Sequence, residues 1–103
     1  MRYQYPAILI PAEEGGYTVL VPDLPGCVTQ GETVEEAFEM AKDAIAGWIE
    51  VALEYNEEVP GSSTLEQIAG HLDEFLEGVV ETKEERDRVI LANVQLDLPE
   101  VAA

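Results

Sequence analysis

Cys27 is the single cysteine of the chain and follows Pro25 and Gly26 in the stretch "VPDLPGCVTQG". A cysteine beside glycine and an acid can act as a nucleophile if a base, a cation or a helix N-terminus stabilises its thiolate. None is near in sequence. The only histidine, His71, lies far along the chain, and the acids around Cys27 disfavour a thiolate. Cys27 therefore reads as a small, half-buried hydrophobe that starts a strand. His71 has no second histidine or cysteine close by and reads as a helix-surface residue. Acids stand side by side at Glu13–Glu14, Glu35–Glu36, Glu57–Glu58 and Glu84–Glu85. Adjacent residues on a helix do not face each other, and a chain with 22 acids makes such pairs by chance. Gly15, Gly16 and Gly26 lie between strands, not ahead of a helix opening with Lys-Ser/Thr, so no phosphate loop is present. Ser62 and Ser63 read as linker and helix cap. No catalytic or metal constellation emerges, and neither an enzyme nor a cofactor is expected.

The charge balance points elsewhere. Five Lys and Arg stand against 22 Asp and Glu, a formal net charge of −17. Nucleic acid and anionic membrane would be repelled, because their binding depends on cationic side chains. A basic protein partner is favoured by electrostatic steering. The same acidity also suits bare solubility or a salty cytoplasm. With 103 residues the chain fits one domain, and 47% hydrophobic residues exclude a disordered acidic tail. No apolar run is long enough to span a membrane. "MRYQYPAILI" carries one Arg and stops at Pro11, a poor signal peptide. One cysteine forms no intramolecular disulfide. A cytoplasmic protein is expected.

Four strands and one secure helix must position any site. "YQYPAILI" reads as a first strand, with Pro6 placing it at an edge or leaving that side unpaired. "AEEGG" is a turn, "YTVLV" a second strand, and "CVTQG" a short third, together a meander. "TVEE" then opens a helix, with Thr33 as N-cap and Glu36 three residues on. Val34, Ala37, Phe38, Ala41, Ile45, Trp48, Ile49 and Ala52 keep the helical period, so this helix should pack across the meander. "NEEVPGSS" connects to a second cap, Ser63 with Glu66 or Thr64 with Gln67. The residues after it predict one helix running to about Val80, weakened by Gly70 and Gly78. "ETKEERDR" reads as charged and solvated. "ILANVQLDL" alternates as a half-buried last strand ended by Pro99. The order β-β-β-α-(α)-β implies an α+β domain, a largely antiparallel sheet with its helices on one face.

With no catalytic constellation, a binding surface remains. Tyr3, Tyr5 and Tyr17 are expected to be exposed on the strands, with Glu13, Glu14 and Asp23 in the neighbouring turns. Tyr5, Glu13, Glu14, Tyr17 and Asp23 are thus the candidate contacts for a basic partner. Alternatively, the aromatics merely cover the open face of a small sheet. An edge strand pairing with its own copy would give a dimer or tetramer.

Residues 5–54 bring these features together in a familiar arrangement: Tyr5-Pro6-Ala7, Gly15-Gly16-Tyr17, Pro22-Asp23-Leu24-Pro25-Gly26-Cys27, Gly31, Thr33, and Trp48 within the helix. This half of the chain resembles the HicB family of antitoxins, and the final strand fits the same layout. The resemblance implies a truncated RNase H-like β-β-β-α-β fold without nuclease activity. It further implies a partner, HicA, a small basic toxin with a double-stranded-RNA-binding fold and a histidine that cleaves mRNA. A nuclease would need clustered carboxylates beginning on the first strand, where "RYQYPAILI" has none. Two departures stand out. Many HicB proteins carry a C-terminal DNA-binding domain, and none is expected here in a single domain over 1–103. A helical insertion over 63–88 precedes the last strand. The expectation is thus a non-catalytic inhibitor of a basic HicA-type toxin. The alternative is a solitary, oligomeric HicB-like binding protein without a toxin.

Overall fold

The computed structural model describes residues 1–99; residues 100–103, the end of the expected domain, lie outside the described residues. The strands are β1 (Arg2–Pro11), β2 (Tyr17–Leu20), β3 (Val28–Gly31) and β4 (Ile90–Asp97). The helices are α1 (Val34–Glu54), α2 (Leu65–Gly70), α3 (Leu72–Leu76) and α4 (Lys83–Asp87). One sheet of order β3-β2-β1-β4 results, and every pair is antiparallel. β1 is central, not an edge. Pro6 is tolerated because it faces Asn93 of β4, whereas β2 begins its pairing only at Ile8.

α1 is built as its sequence dictates. Thr33 accepts the Glu36 N–H at 3.0 Å, and Glu35 and Glu36 place negative charge on the first turn. The Glu36 carboxylate accepts from the N–H of Glu32 at 3.3 Å, one residue earlier than a standard capping box. The helix ends at Asn56, whose φ of 56° lets its N–H reach Leu53 while Glu57 N–H reaches Ala52. Ala37, Ala41, Ile45, Ile49 and Ala52 form its buried stripe. The first four pack against Tyr5, Ala7, Leu9, Val19, Val94 and Leu96 of the sheet.

Helices cover both faces of the sheet, not one. Alternate residues of β1, Ile8 and Ile10, turn away from α1 and form a second core with Ile68 and Leu76. Leu20, Leu72, Phe75, Val80, Val89 and Leu91 close around it. The expected single helix to Val80 is two short ones, broken at His71, with a turn at Gly78 (φ 78°). Thr64, rather than Ser63, is the cap, and its box with Gln67 is complete. "ETKEERDR" is not wholly irregular: Thr82 caps α4, whose Arg86 pairs with Asp73. This inserted layer carries the chain back across the sheet, so that β4 enters beside Leu9 and leaves beside Arg2. A short link from α1 would instead deliver a parallel strand by crossover.

Two close approaches fix the geometry at the N-terminal end of α1. A Cβ on Gly31 would lie 2.4 Å from the Ala37 nitrogen and 2.6 Å from its Cα. A Cβ on Gly16 (φ 77°) would meet the Gly31 carbonyl at 2.8 Å. Gly31→Ala should therefore cost about 2–4 kcal/mol by driving strand and helix apart. Gly47→Ala, on an open stretch of the same helix, should gain roughly 0.5–1 kcal/mol. Urea midpoints of the two variants, moving in opposite directions, check this.

Candidate functional site

The turn "VPDLPGC" is held by its own backbone. Val21 N–H donates to Cys27 C=O, Leu24 N–H to Val21 C=O, and Cys27 N–H to Leu24 C=O. Gly26 supplies a φ of 79°, and Leu24 is buried beneath the turn. Two polar side chains then tie it to its surroundings, and a third, Tyr5, joins β1 to the segment after α1. Asp23 accepts twice from Ser63, from the backbone N–H and from the hydroxyl, each at 2.7 Å. Trp48 of α1 donates its indole N–H to Pro25 C=O at 2.9 Å. Tyr5 of β1 donates its hydroxyl to Pro60 C=O at 2.6 Å. The turn, the start of the insertion, α1 and β1 are thereby joined at one end of the sheet.

Tyr5, expected to be exposed, is 2% exposed and points inward under α1. Its ring needs the core and its hydroxyl needs an acceptor, and Pro60 satisfies both. Tyr3 and Tyr17 are half-buried against the same core. Asp23 is half-buried, and both its oxygens are committed to Ser63. Glu13 and Glu14 are exposed, in a turn closed by Ala12 N–H on Gly16 C=O. The five candidates do not form one patch. Tyr5 and Asp23 lie in the network just described, while Glu13, Glu14 and Tyr17 stand at the other end of β2, beside Gly31. The partners Pro60 and Ser63 left no mark in the sequence. Trp48 did, because a partly buried indole N–H seeks an acceptor.

A groove lies where the turn meets α1. Pro25–Val28 form one wall, Ala44, Gly47, Trp48 and Val51 the other. Cys27, 6% exposed, is in its floor, and Asp43 and Glu57 stand on the rim. Burial pushes the Cys27 thiol up from its ordinary value, so the thiol stays neutral and poorly nucleophilic. Burial also raises the Tyr5 phenol, with Tyr3 and Asp23 adding to the effect. His71 is exposed, 3.5 Å from Glu74. Among the described residues, no three His, Cys, Asp or Glu are grouped to hold a metal ion, and no helix is long and apolar enough to cross a membrane.

Two tests follow from this network. Asp23→Ala should cost about 1.5–3 kcal/mol in denaturant unfolding, the scale of hydrogen bonds to a charged group. Amide exchange should then speed up from Ser63 into α2 before it does in α1. For pH, both raised groups have the same sign. Folding favours the protonated forms, so their stabilisation is whole below the ordinary values of 9.0 for Cys27 and 10.0 for Tyr5. It is lost as pH rises through the folded values. Stability should therefore fall above about pH 9, and the Cys27→Ala, Tyr5→Phe pair should flatten that alkaline limb.

Comparison with known proteins fits this architecture. The family model for the HicB-like antitoxin of bacterial toxin–antitoxin systems matches residues 5–100. Antitoxin HicB 1 of Photorhabdus laumondii is 53% identical over 57 residues, which span 55% of this chain and 37% of that protein. A UPF0150 protein of Thermoplasma acidophilum is 43% identical over 68 residues, 66% of this chain and 97% of that one. Among solved structures, a chain of a toxin–antitoxin complex from Streptococcus pneumoniae superposes with a TM-score of 0.75 at 25% identity. The match covers 94% of this chain and 70% of that one. The family match runs from β1 through α2, α3 and α4 into β4, and the chain belongs to the HicB-like antitoxin family.

Proposed function

We propose that this chain is a non-catalytic antitoxin that binds and neutralises a small basic HicA-type toxin that cleaves mRNA. The observation that carries this reading is the family match over residues 5–100. Three further features support it. The net charge of −17 suits a cationic protein ligand and opposes direct nucleic-acid contact. The only thiol is buried and neutral, and the only histidine is exposed on a short helical segment. The superposed Streptococcus pneumoniae chain comes from a toxin–antitoxin complex. The cytoplasm, where the toxin's substrate lies, is the working compartment in this reading.

The Thermoplasma acidophilum relative favours a second reading. The match spans 97% of that protein's length and 66% of this chain. A solitary HicB-like protein that self-associates as a dimer or tetramer through a sheet edge is consistent with that match.

The two readings separate in one assay. Mixed with the HicA-type toxin of the same genome, the chain should abolish mRNA cleavage at stoichiometric ratio. The affinity should weaken at least about tenfold between low and moderate salt, because charge steering is screened. Undiminished cleavage, with the chain recovered only as its own oligomer, would replace the antitoxin reading with the solitary one.

A further inference from the structure

None of the chain's positive charge lines the groove between the turn and α1. Arg2 pairs with Asp97 of β4 at 3.2 Å. Lys42 shares a hollow with Arg2, Gln95 and Asp97. Lys83, Arg86 and Arg88 belong to α4 and its C-cap, directly ahead of β4. These are all five Lys and Arg of the sequence. β3 is the opposite edge of the sheet, and no cation lines the groove between the turn, β3 and α1. On α1 the groove wall carries Asp43, Gly47 and Val51, and Glu54 follows on the same helix face by its three-residue spacing from Val51. Glu57 completes the rim.

The same place has apolar surface in reach. Val51 is 53% exposed on the α1 wall, and Trp48 is half-buried beside it. Val28, 57% exposed, begins β3 in the opposite wall of the groove. β3 pairs with β2 on one side only. A strand laid along its outer edge would meet unpaired backbone groups beside an apolar groove.

We infer that this groove and the outer edge of β3 bind an extended cationic segment of the toxin, which adds to the sheet as a fifth strand. The inference rests on the antitoxin reading and names the surface that serves it. The partner's basic side chains meet Asp43, Glu54 and Glu57, and an apolar side chain enters between Gly47 and Val51. Backbone pairing supplies affinity, and the groove supplies selection. Toward the β4 edge, Arg2 and Lys42 stand beside Asp97 and Glu39, so a cationic ligand gains less there.

Gly47 allows a test that spares the fold. A Cβ there meets nothing within 4 Å, and a residue other than glycine favours the helix. Gly47→Arg therefore fills the groove and adds a positive charge without unfolding the chain. Gln95→Arg, exposed on β4, adds the same charge at the other edge. With a cleavage-inactive form of the same-genome HicA-type toxin as probe, Gly47→Arg should weaken binding about 30-fold or more. Gln95→Arg should leave it within about twofold, and toxin should slow amide exchange at Val28–Gly31. Equal binding by Gly47→Arg and the unaltered chain overturns the groove while leaving the antitoxin reading standing. Equal losses in both variants overturn the location, because net charge alone would then explain them. Unchanged exchange at Val28–Gly31 overturns strand addition. Absence of binding by the unaltered chain overturns the antitoxin reading and this inference together.

Discussion

The contact of Gly31 with Ala37 sets the height at which α1 rides over the sheet. No side chain fits between them, so β3 and the first turn of the helix meet backbone to backbone. Farther along, the buried residues grow from Ala37 and Ala41 to Ile45 and Ile49, with Trp48 beside them. The helix is pinned close at its start, and the stripe returns to a small residue at Ala52. The groove between the "PDLPGC" turn and α1 lies along this later part of the helix.

The turn takes its role from this arrangement. It looks at first like a place for chemistry, since it carries the only thiol, an acid and two prolines. Its acid is consumed by Ser63, its thiol is buried, and one proline carbonyl receives the Trp48 indole. Each polar group is spent on positioning. The residues that made the chain resemble HicB antitoxins are largely those that lock the turn between β1, α1 and the insertion.

Much of the fold was legible because its signals are local. Thr33 with Glu36 and the apolar stripe of α1 announce a helix, and strict alternation announces β4. What escaped depends on contacts distant in sequence. "PAILI" in β1 is apolar at successive positions, the mark of a strand buried on both faces, yet only one covering layer was expected. The apolar spacing of Leu65, Ile68, Leu72 and Leu76 runs on through the break at His71, so periodicity alone joins two helices into one. At the candidate site, the exposure expected of Tyr5 fails because its acceptor, Pro60, is 55 residues away in sequence, and Asp23 likewise turns to Ser63, 40 residues away. The α1 wall of the groove carries Ala44, Gly47 and Val51, types that carry no chemical signal.

The route of β4 has a kinetic consequence. β1 forms early in synthesis and pairs with β2 only from Ile8 to Pro11. Its long ladder, from Arg2 to Leu9, waits for residues 90–97 to leave the ribosome. Pairing so distant in sequence closes slowly, because the loop entropy must be lost before any contact rewards it. Until then β1 presents a bare edge, and Ile8 and Ile10 await the insertion that will cover them. The newborn chain is therefore open to proteases and chaperones for as long as that strand is missing. The time at which the folded chain appears is set by closure of the sheet as well as by the rate of translation.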